Sequence, residues 1–496
     1  MTLSSAAIPQ PALDKSFWRS LAWIGGARWA IQLFTWASTL VVARLLAPAD
    51  YGIVGLASLY IGVVTMIADF GLGSAVVTLR SLTAHQIAQL NVLSGLTGIL
   101  LLGVSSLLAW PIAKFFETPQ LPPVIILMTL SIAISGWQSI PDALLQNQLR
   151  FRALAFRDAA RGLAAAVCTV VLALLGFGYW ALAGGVVTGS VCGLLVTLVL
   201  QRAPLARPRF RELRQPISYS GYSLSSRLAW YGYSNADFLV AGKVLSTASL
   251  GSYALAWSLA NIAVEKVTTL VGRVTPSFFS AAQKDPALLA AYLEMLTRGI
   301  ALMSFPVSVG IALVADEFIP AALGPQWVPA VAPLVPLSLY AGFRSLTPLL
   351  STIMRVTGDQ RFGVLNAFAG VLMMPVVFYV GSFWGPVGIA YGWVVGFPLL
   401  VVPLYRRVLW RLSIRWSTYV SWLTPPLVST GLMAALVFAL KLMLPVTVSV
   451  WLRLSICIAG GALAYAAALL FLFRPSLEML RTSIRGAVES GPAGTL

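Results

Sequence analysis

The stretch AQLNVLSGLTGILLLGVSSLLAWPIA, residues 88–113, runs for 26 positions without a charged side chain. As an α-helix at 1.5 Å per residue it reaches about 39 Å, enough to cross a hydrocarbon layer of about 30 Å. It reads as a transmembrane helix, and it has companions along the whole chain. Working outward gives fourteen spans, at roughly 20–43, 53–78, 88–113, 122–146, 159–176, 178–200, 217–241, 250–274, 290–314, 330–353, 363–384, 386–405, 420–443 and 452–473. The runs lack the alternation that a membrane barrel needs, so the spans are helical. Composition agrees: 58% of the 496 residues are hydrophobic and 10% charged, against about 25% charged in soluble domains. The mean hydropathy is +0.86.

A net charge of +17 would suit a nucleic-acid partner in a soluble chain. In a membrane chain the excess belongs to cytoplasmic loops, where Lys and Arg set orientation, so no nucleic-acid partner is expected. With the N-terminus in the cytoplasm, 24 of the 33 Lys and Arg fall on the cytoplasmic side, Arg157, Arg161, Arg406, Arg407, Arg411 and Arg415 among them. Five (Arg44, Lys114, Lys243, Lys441 and Arg453) fall on the other. Both termini are then cytoplasmic. The first run follows Lys15 and Arg19, contains Arg28 and is too long for a signal peptide, so it reads as an uncleaved span. Cys168, Cys192 and Cys457 lie inside apolar runs and His85 stands alone, a pattern without metal-ligand or disulfide spacing. The chain also has no phosphate-binding P-loop, no Ser/His/Asp arrangement and no acidic metal cluster. No cofactor, no metal and no enzymatic activity are expected.

The chain repeats itself. Arg28 and Arg227 (227−28 = 199), Arg44 and Lys243 (243−44 = 199) and Gly52 and Gly251 (251−52 = 199) share one offset. Leu46 also falls on Leu245 and Ala49 on Ala248. Six spans separate the copies, so both halves face the same way, related by an axis along the membrane normal with a binding site between them. Residues 202–216, RAPLARPRFRELRQP, form a basic cytoplasmic linker suited to anionic lipid headgroups.

Four cations fall inside spans: Arg28, Arg227, Lys266 and Arg344. Charge at membrane depth is expensive and turns toward a wet cavity or an ionic partner. Arg28 and Arg227 occupy equivalent places, and a guanidinium fork matches phosphate oxygens bidentately. A lipid diphosphate is therefore a fitting ligand, with Arg344 and Lys266 as further contacts. Structural ion pairing is the other reading, since Arg227 and Asp237 share a span and Glu265 adjoins Lys266. Asp69, Asp237 and Glu265 are the candidates for proton or sodium coupling. Tyr222, Asn235, Asn261 and Gln32 are scattered polar groups available to a headgroup.

Other features are structural. Gly185, Gly189 and Gly193 make a small-residue stripe for close helix packing. Pro306, Pro336 and Pro348 suggest kinks or broken helices. Gly176-Phe177-Gly178 and Trp384-Gly385-Pro386 are tight reversals between spans. The longest outer loop lies around ADEFIPAALGPQWVPA, residues 315–330.

Residues 43–75, ARLLAPADYGIVGLASLYIGVVTMIADFGLGSA, carry an RLL-x-P-x-D-YG exit from the first span and a D-x-G-x-x-x-A stretch in the second. These motifs resemble the polysaccharide-transporter family, the Wzx-type flippases of the multidrug/oligosaccharidyl-lipid/polysaccharide exporter superfamily. DFLVAGKVL with LGSYALA (237–256) and LLQNQLRFRALAFRD (144–158) are similar to it as well. The likeness covers about the first 260 residues by motif and the rest by topology. It is nearest the colanic-acid and related exopolysaccharide exporters. The resemblance implies an all-α integral membrane protein with a MOP/MATE-like fold. Its about fourteen transmembrane helices would form two pseudo-symmetric six-helix lobes plus two C-terminal helices. The lobes would be 1–200 and 217–411, joined by the linker 201–216 and followed by two spans and a cytoplasmic tail in 412–496. It further implies alternating-access transfer of undecaprenyl-diphosphate-linked oligosaccharide across a bacterial inner membrane. The implied partners are that lipid, membrane lipids and the polysaccharide polymerase or export machinery. A multidrug or other amphiphile exporter and a peptidoglycan-precursor flippase are the alternatives. The family fixes no coupling-ion residue, and none is transferred.

Overall fold

A computed structural model describes residues 34–68, 72–79, 82–209, 213, 228, 230–283, 285–445 and 447–473. Among them there is no β-strand. The first half contains α1 (described over Phe34–Leu45), α2 (Pro48–Ala68), α3 (Leu72–Thr78), α4 (Ala84–Phe115), α5 (Leu121–Asn147), α6 (Phe151–Leu174) and α7 (Tyr179–Leu200). The second contains α8 (Ala236–Val244), α9 (Thr247–Ala281), α10 (Pro286–Phe318), α11 (Val331–Arg344), α12 (Thr347–Val356), α13 (Gln360–Ser382), α14 (Gly385–Arg411), α15 (Trp416–Met443) and α16 (Val450–Leu472). Nine helices among the described residues are long and apolar enough to cross a membrane. Their outward faces carry large apolar side chains, with Leu107 77% and Phe471 86% exposed. Water would penalise such a surface and lipid does not. This is a multi-pass α-helical membrane protein.

Helix ends follow local chemistry. Thr83 and Gln86 form a capping box at α4, Thr83 N–H donating to Gln86 Oε1 at 2.9 Å and Gln86 N–H to Thr83 Oγ1 at 3.2 Å. Asp285 accepts from the N–H groups of Ala287 and Leu288 at the start of α10. The reversal before α7 uses Gly176 (φ 80°) and Gly178 (φ 55°), and that before α14 uses Gly385 (φ 69°), conformations that glycine adopts without a Cβ penalty.

The helices depart from the expected spans in three places. The run 330–353 breaks after Arg344, and Pro348 sits in the first turn of α12, where a missing N–H is harmless; Pro306 and Pro336 lie inside unbroken helices. The expected outer loop coils into a π turn (Ile319–Leu323) and a 3₁₀ turn (Pro325–Ala330). Its apolar residues drive that, because Trp327 is fully buried and meets Tyr51 edge-on at 5.0 Å. Finally, α6 begins at Phe151, so Arg157 and Arg161 are helix residues rather than loop charges.

The chain forms two compact units. One comprises Met1–Leu46, Val64–Ala113 and Pro119–Ser223; the other Ala47–Val63, Lys114–Thr118 and Leu224–Leu496. In the first, α7 packs on α6 along its glycine stripe: a Cβ on Gly185 would lie 1.9 Å from Thr169 Oγ1, and one on Gly189 3.0 Å from the Ala165 Cβ. The linker is seated on this unit, with Leu213 fully buried beside Leu72, Val76, Leu90 and Ile140. Asn91 Nδ2 donates to the Pro204 carbonyl at 3.4 Å. In the second unit, α15 and α16 attach to α10 through Met433, Val437 and Cys457 against Val309 and Leu313. An ion cluster closes the same end: Lys441 Nζ lies 2.5 Å from Asp316, and Arg453 Nε 2.8 Å from Glu317.

Candidate functional site

Two polar assemblies stand among the apolar helices, one in each unit. In the second unit, Asp237 is the second residue of α8 and is completely buried. Tyr253 Oη donates to its Oδ2 at 2.7 Å and Trp393 Nε1 at 2.9 Å. Its Oδ1 has no hydrogen-bond partner in normal geometry, although the backbone N–H groups of Asp237 and Phe238 lie close by. A helix N-terminus favours an anion there. No cation is paired with this carboxyl group among the described residues. A buried carboxyl with one oxygen unpaired is costly to keep, and it stands out from the apolar packing around it.

The network continues toward Arg344. Trp393 stacks on Tyr340, with centroids 4.6 Å apart and planes at 22°. The Arg344 guanidinium lies 6.0 Å from the Tyr340 ring and 5.8 Å from that of Trp257. Its Nη1 donates to Asn261 Oδ1 at 3.0 Å. Arg344 ends α11 at the helix break, where the unpaired carbonyls favour a cation. On α9, Tyr253, Trp257 and Asn261 are spaced by fours and so share one face. Glu265 extends that spacing and is exposed.

The structure therefore brings Asp237 and Arg344 into one aromatic-lined network and sets Glu265 further along the same helix face. Arg28, Arg227 and Asp69 lie outside the described residues, as does the side chain of Lys266.

In the first unit a cavity of about 430 Å³ opens among α3, α5 and α6. Its wall includes Ser139, Gln138, Asp142, Gln146, Arg157 and Arg161. Asp142 is saturated: Oδ2 pairs with Arg157 and accepts from Gln138 Nε2 at 3.1 Å, while Oδ1 accepts from Thr197 Oγ1 at 3.3 Å. Arg161, one turn beyond Arg157, has a single long contact, 3.5 Å to Ser190 Oγ. Gln138 is 3% exposed, and its Oε1 has no partner. Gly193 makes the room, since a Cβ there would lie 3.2 Å from Gln138 Oε1 and 3.5 Å from Arg161 Cδ.

Sequence reading had passed over this cavity, counting Arg157 and Arg161 as loop charges. The available signal was spacing: Gln138 and Asp142, like Arg157 and Arg161, stand four apart and share a helix face. A third cluster lies at the end of α14, where Arg407 grips Asp359 bidentately at 2.8 and 3.1 Å and Arg411 adds a contact at 3.4 Å. Arg407 foremost, followed by Arg411, holds the Asp359 carboxyl below the usual carboxylate range.

Apolar membrane-length helices, a broken helix ending on an arginine and a buried carboxyl define a membrane transporter in class. The family model described as polysaccharide biosynthesis protein matches residues 41–332, and the chain belongs to that family. Teichuronic acid biosynthesis protein TuaB of Bacillus subtilis (strain 168) is 25% identical over 423 residues, covering 81% of this chain and 84% of that protein. Lipopolysaccharide biosynthesis protein WzxC of Escherichia coli (strain K12) is 24% identical over 393 residues, 75% of this chain and 78% of that protein. In fold the chain is similar to lipid II flippase MurJ in an inward closed conformation, with a TM-score of 0.69 at 12% identity. That match covers 92% of this chain and 99% of that one.

Proposed function

We propose that this protein is a flippase for lipid-linked oligosaccharide in surface-polysaccharide biosynthesis. It moves an undecaprenyl-diphosphate-linked repeat unit from the cytoplasmic to the periplasmic leaflet of a bacterial inner membrane, by alternating access. It works as a transporter, without cofactor or catalytic residues. Its architecture is fourteen spans in two six-helix lobes with two C-terminal helices, both termini in the cytoplasm. The observation that carries this reading is membership of the polysaccharide biosynthesis family in a chain of membrane-length apolar helices.

Arg28, Arg227, Lys266 and Arg344 are assigned to the diphosphate, Arg344 being already poised at a helix break with its side chain half-buried. Asp237 is the strongest of the three coupling candidates, because it is buried with one oxygen unpaired; Asp69 and Glu265 are the others. The test is the sidedness of lipid-linked oligosaccharide in membranes of a deletion strain. Accumulation on the cytoplasmic leaflet, relieved by the intact gene but not by the Arg28→Ala/Arg227→Ala version, is expected. Unchanged distribution in the deletion strain would refute the reading and favour an amphiphile exporter.

A further inference from the structure

We infer that the cavity among α3, α5 and α6 is a saccharide subsite, in which Arg161, Ser139 and Gln146 hold a sugar of the lipid-linked substrate. This rests on the flippase reading and adds to it the place where the sugar is recognised.

The chemistry of the wall separates a sugar from a phosphate. A diphosphate presents acceptors alone and calls for donors alone, whereas a sugar hydroxyl both donates and accepts. Arg157 turns Nη1 to Asp142 and Nε to Asp158, and Arg161, with one long contact to Ser190, keeps most of its five donors spare. Around it stand groups that both donate and accept, the Ser139 hydroxyl and the exposed Gln146 amide. At about 430 Å³ the cavity falls in the range of small-molecule sites. Two cavities of the second unit are lined differently, one mainly by Phe305, Val309, Leu339 and Phe343, the other mainly by Val377, Val380, Val387 and Tyr391.

The saturated Asp142 fixes the frame. It ties the end of α5 to α6 through Arg157 and to α7 through Thr197, so Ser139 and Arg161 are held on a rigid wall. Gly193 completes the arrangement by leaving space where the Gln138 amide and the Arg161 stem lie against α7.

The test compares two probes on the purified full-length protein by native mass spectrometry: lipid-linked oligosaccharide extracted from a deletion strain, and bare undecaprenyl diphosphate. Wild type is expected to prefer the glycosylated lipid. Arg161→Gln should lose about tenfold of affinity for that lipid, the worth of one charge-assisted hydrogen bond, and keep its affinity for the bare lipid. Gln146→Leu, an exposed position outside the ion cluster, should narrow the preference in the same direction without altering thermal stability. Equal binding of both lipids by wild type, or an undiminished preference in both variants, would overturn the subsite and leave the flippase reading intact. Failure of wild type to bind either lipid would overturn both.

Discussion

Gly52 and Gly251, equivalent positions of the internal repeat, are packed against each other where α2 meets α9. A Cβ on Gly251 would fall 1.7 Å from the Pro48 carbonyl oxygen, and one on Gly52 would fall 1.9 Å from the Thr247 carbonyl oxygen. Pro48 and Thr247 are themselves one repeat apart (247−48 = 199). The contact is therefore reciprocal, as in an isologous dimer interface, but within a single chain. Both obstructing atoms are backbone, so no rotamer change relieves them. Gly52→Ala and Gly251→Ala should each destabilise by about 1–3 kcal/mol or more. The expected readout is a similar drop in the unfolding midpoint in detergent for both; a wild-type midpoint in either would contradict the close approach.

Asp237 offers a separable test of stability and coupling. Asp237→Asn retains an oxygen for Tyr253 and Trp393, so the protein should fold with a near-normal melting midpoint. Asp237→Leu strands two buried donors, at about 1–3 kcal/mol each, and should melt markedly lower. If the carboxyl exchanges a proton or cation during transport, the Asn variant will be stable and inactive. A stable, fully active Asn variant would remove Asp237 from the coupling candidates.

Arg344 and Asn261 should behave as a pair. Their hydrogen bond and the facing rings of Trp257 and Tyr340 predict a coupling of about 1 kcal/mol in a double-mutant cycle of Arg344→Gln and Asn261→Ala. Additive effects of the two substitutions on thermal stability would mean that the bond contributes nothing.

The Asp359 cluster has a defined pH signature. Its carboxyl is held below the usual range in the folded state, so the stability it contributes is present above the unfolded value of about 3.9. That contribution is lost as pH falls through the lower folded value. The stability difference between wild type and Asp359→Asn should stay constant from pH 8 to about 5 and shrink only in stronger acid. Because the partner arginines are about half exposed, raising the salt concentration should also reduce it. A difference that vanishes near neutral pH would contradict the assignment.

Much of this fold was readable from apolar run length, because a membrane helix must be long, apolar and internally bonded. Breaks inside apolar runs were not readable. The chain parts after Arg344 without a change in composition, and Pro348 marks the start of the next helix while Pro306 and Pro336 lie inside continuous helices. Sign-counting of cations placed Arg157 and Arg161 on a side of the membrane but was blind to Asp142, which turns Arg157 into a structural tie. Likewise, a repeat offset states that Gly52 and Gly251 are equivalent, not that they touch. Proximity depends on packing that no single segment encodes.

The reversal at Gly176-Phe177-Gly178 also supplies a practical handle. Phe177 is half exposed, and a Cβ at Gly176 would meet nothing within 4 Å. The turn can therefore accept a reporter without disturbing the helices on either side. A cysteine at position 177, with Cys168, Cys192 and Cys457 replaced, would let a membrane-impermeant maleimide register from which side of a living cell this turn is reached. Labelling in intact cells would place it outside and so orient every span in the chain, whereas labelling only after lysis would invert them all.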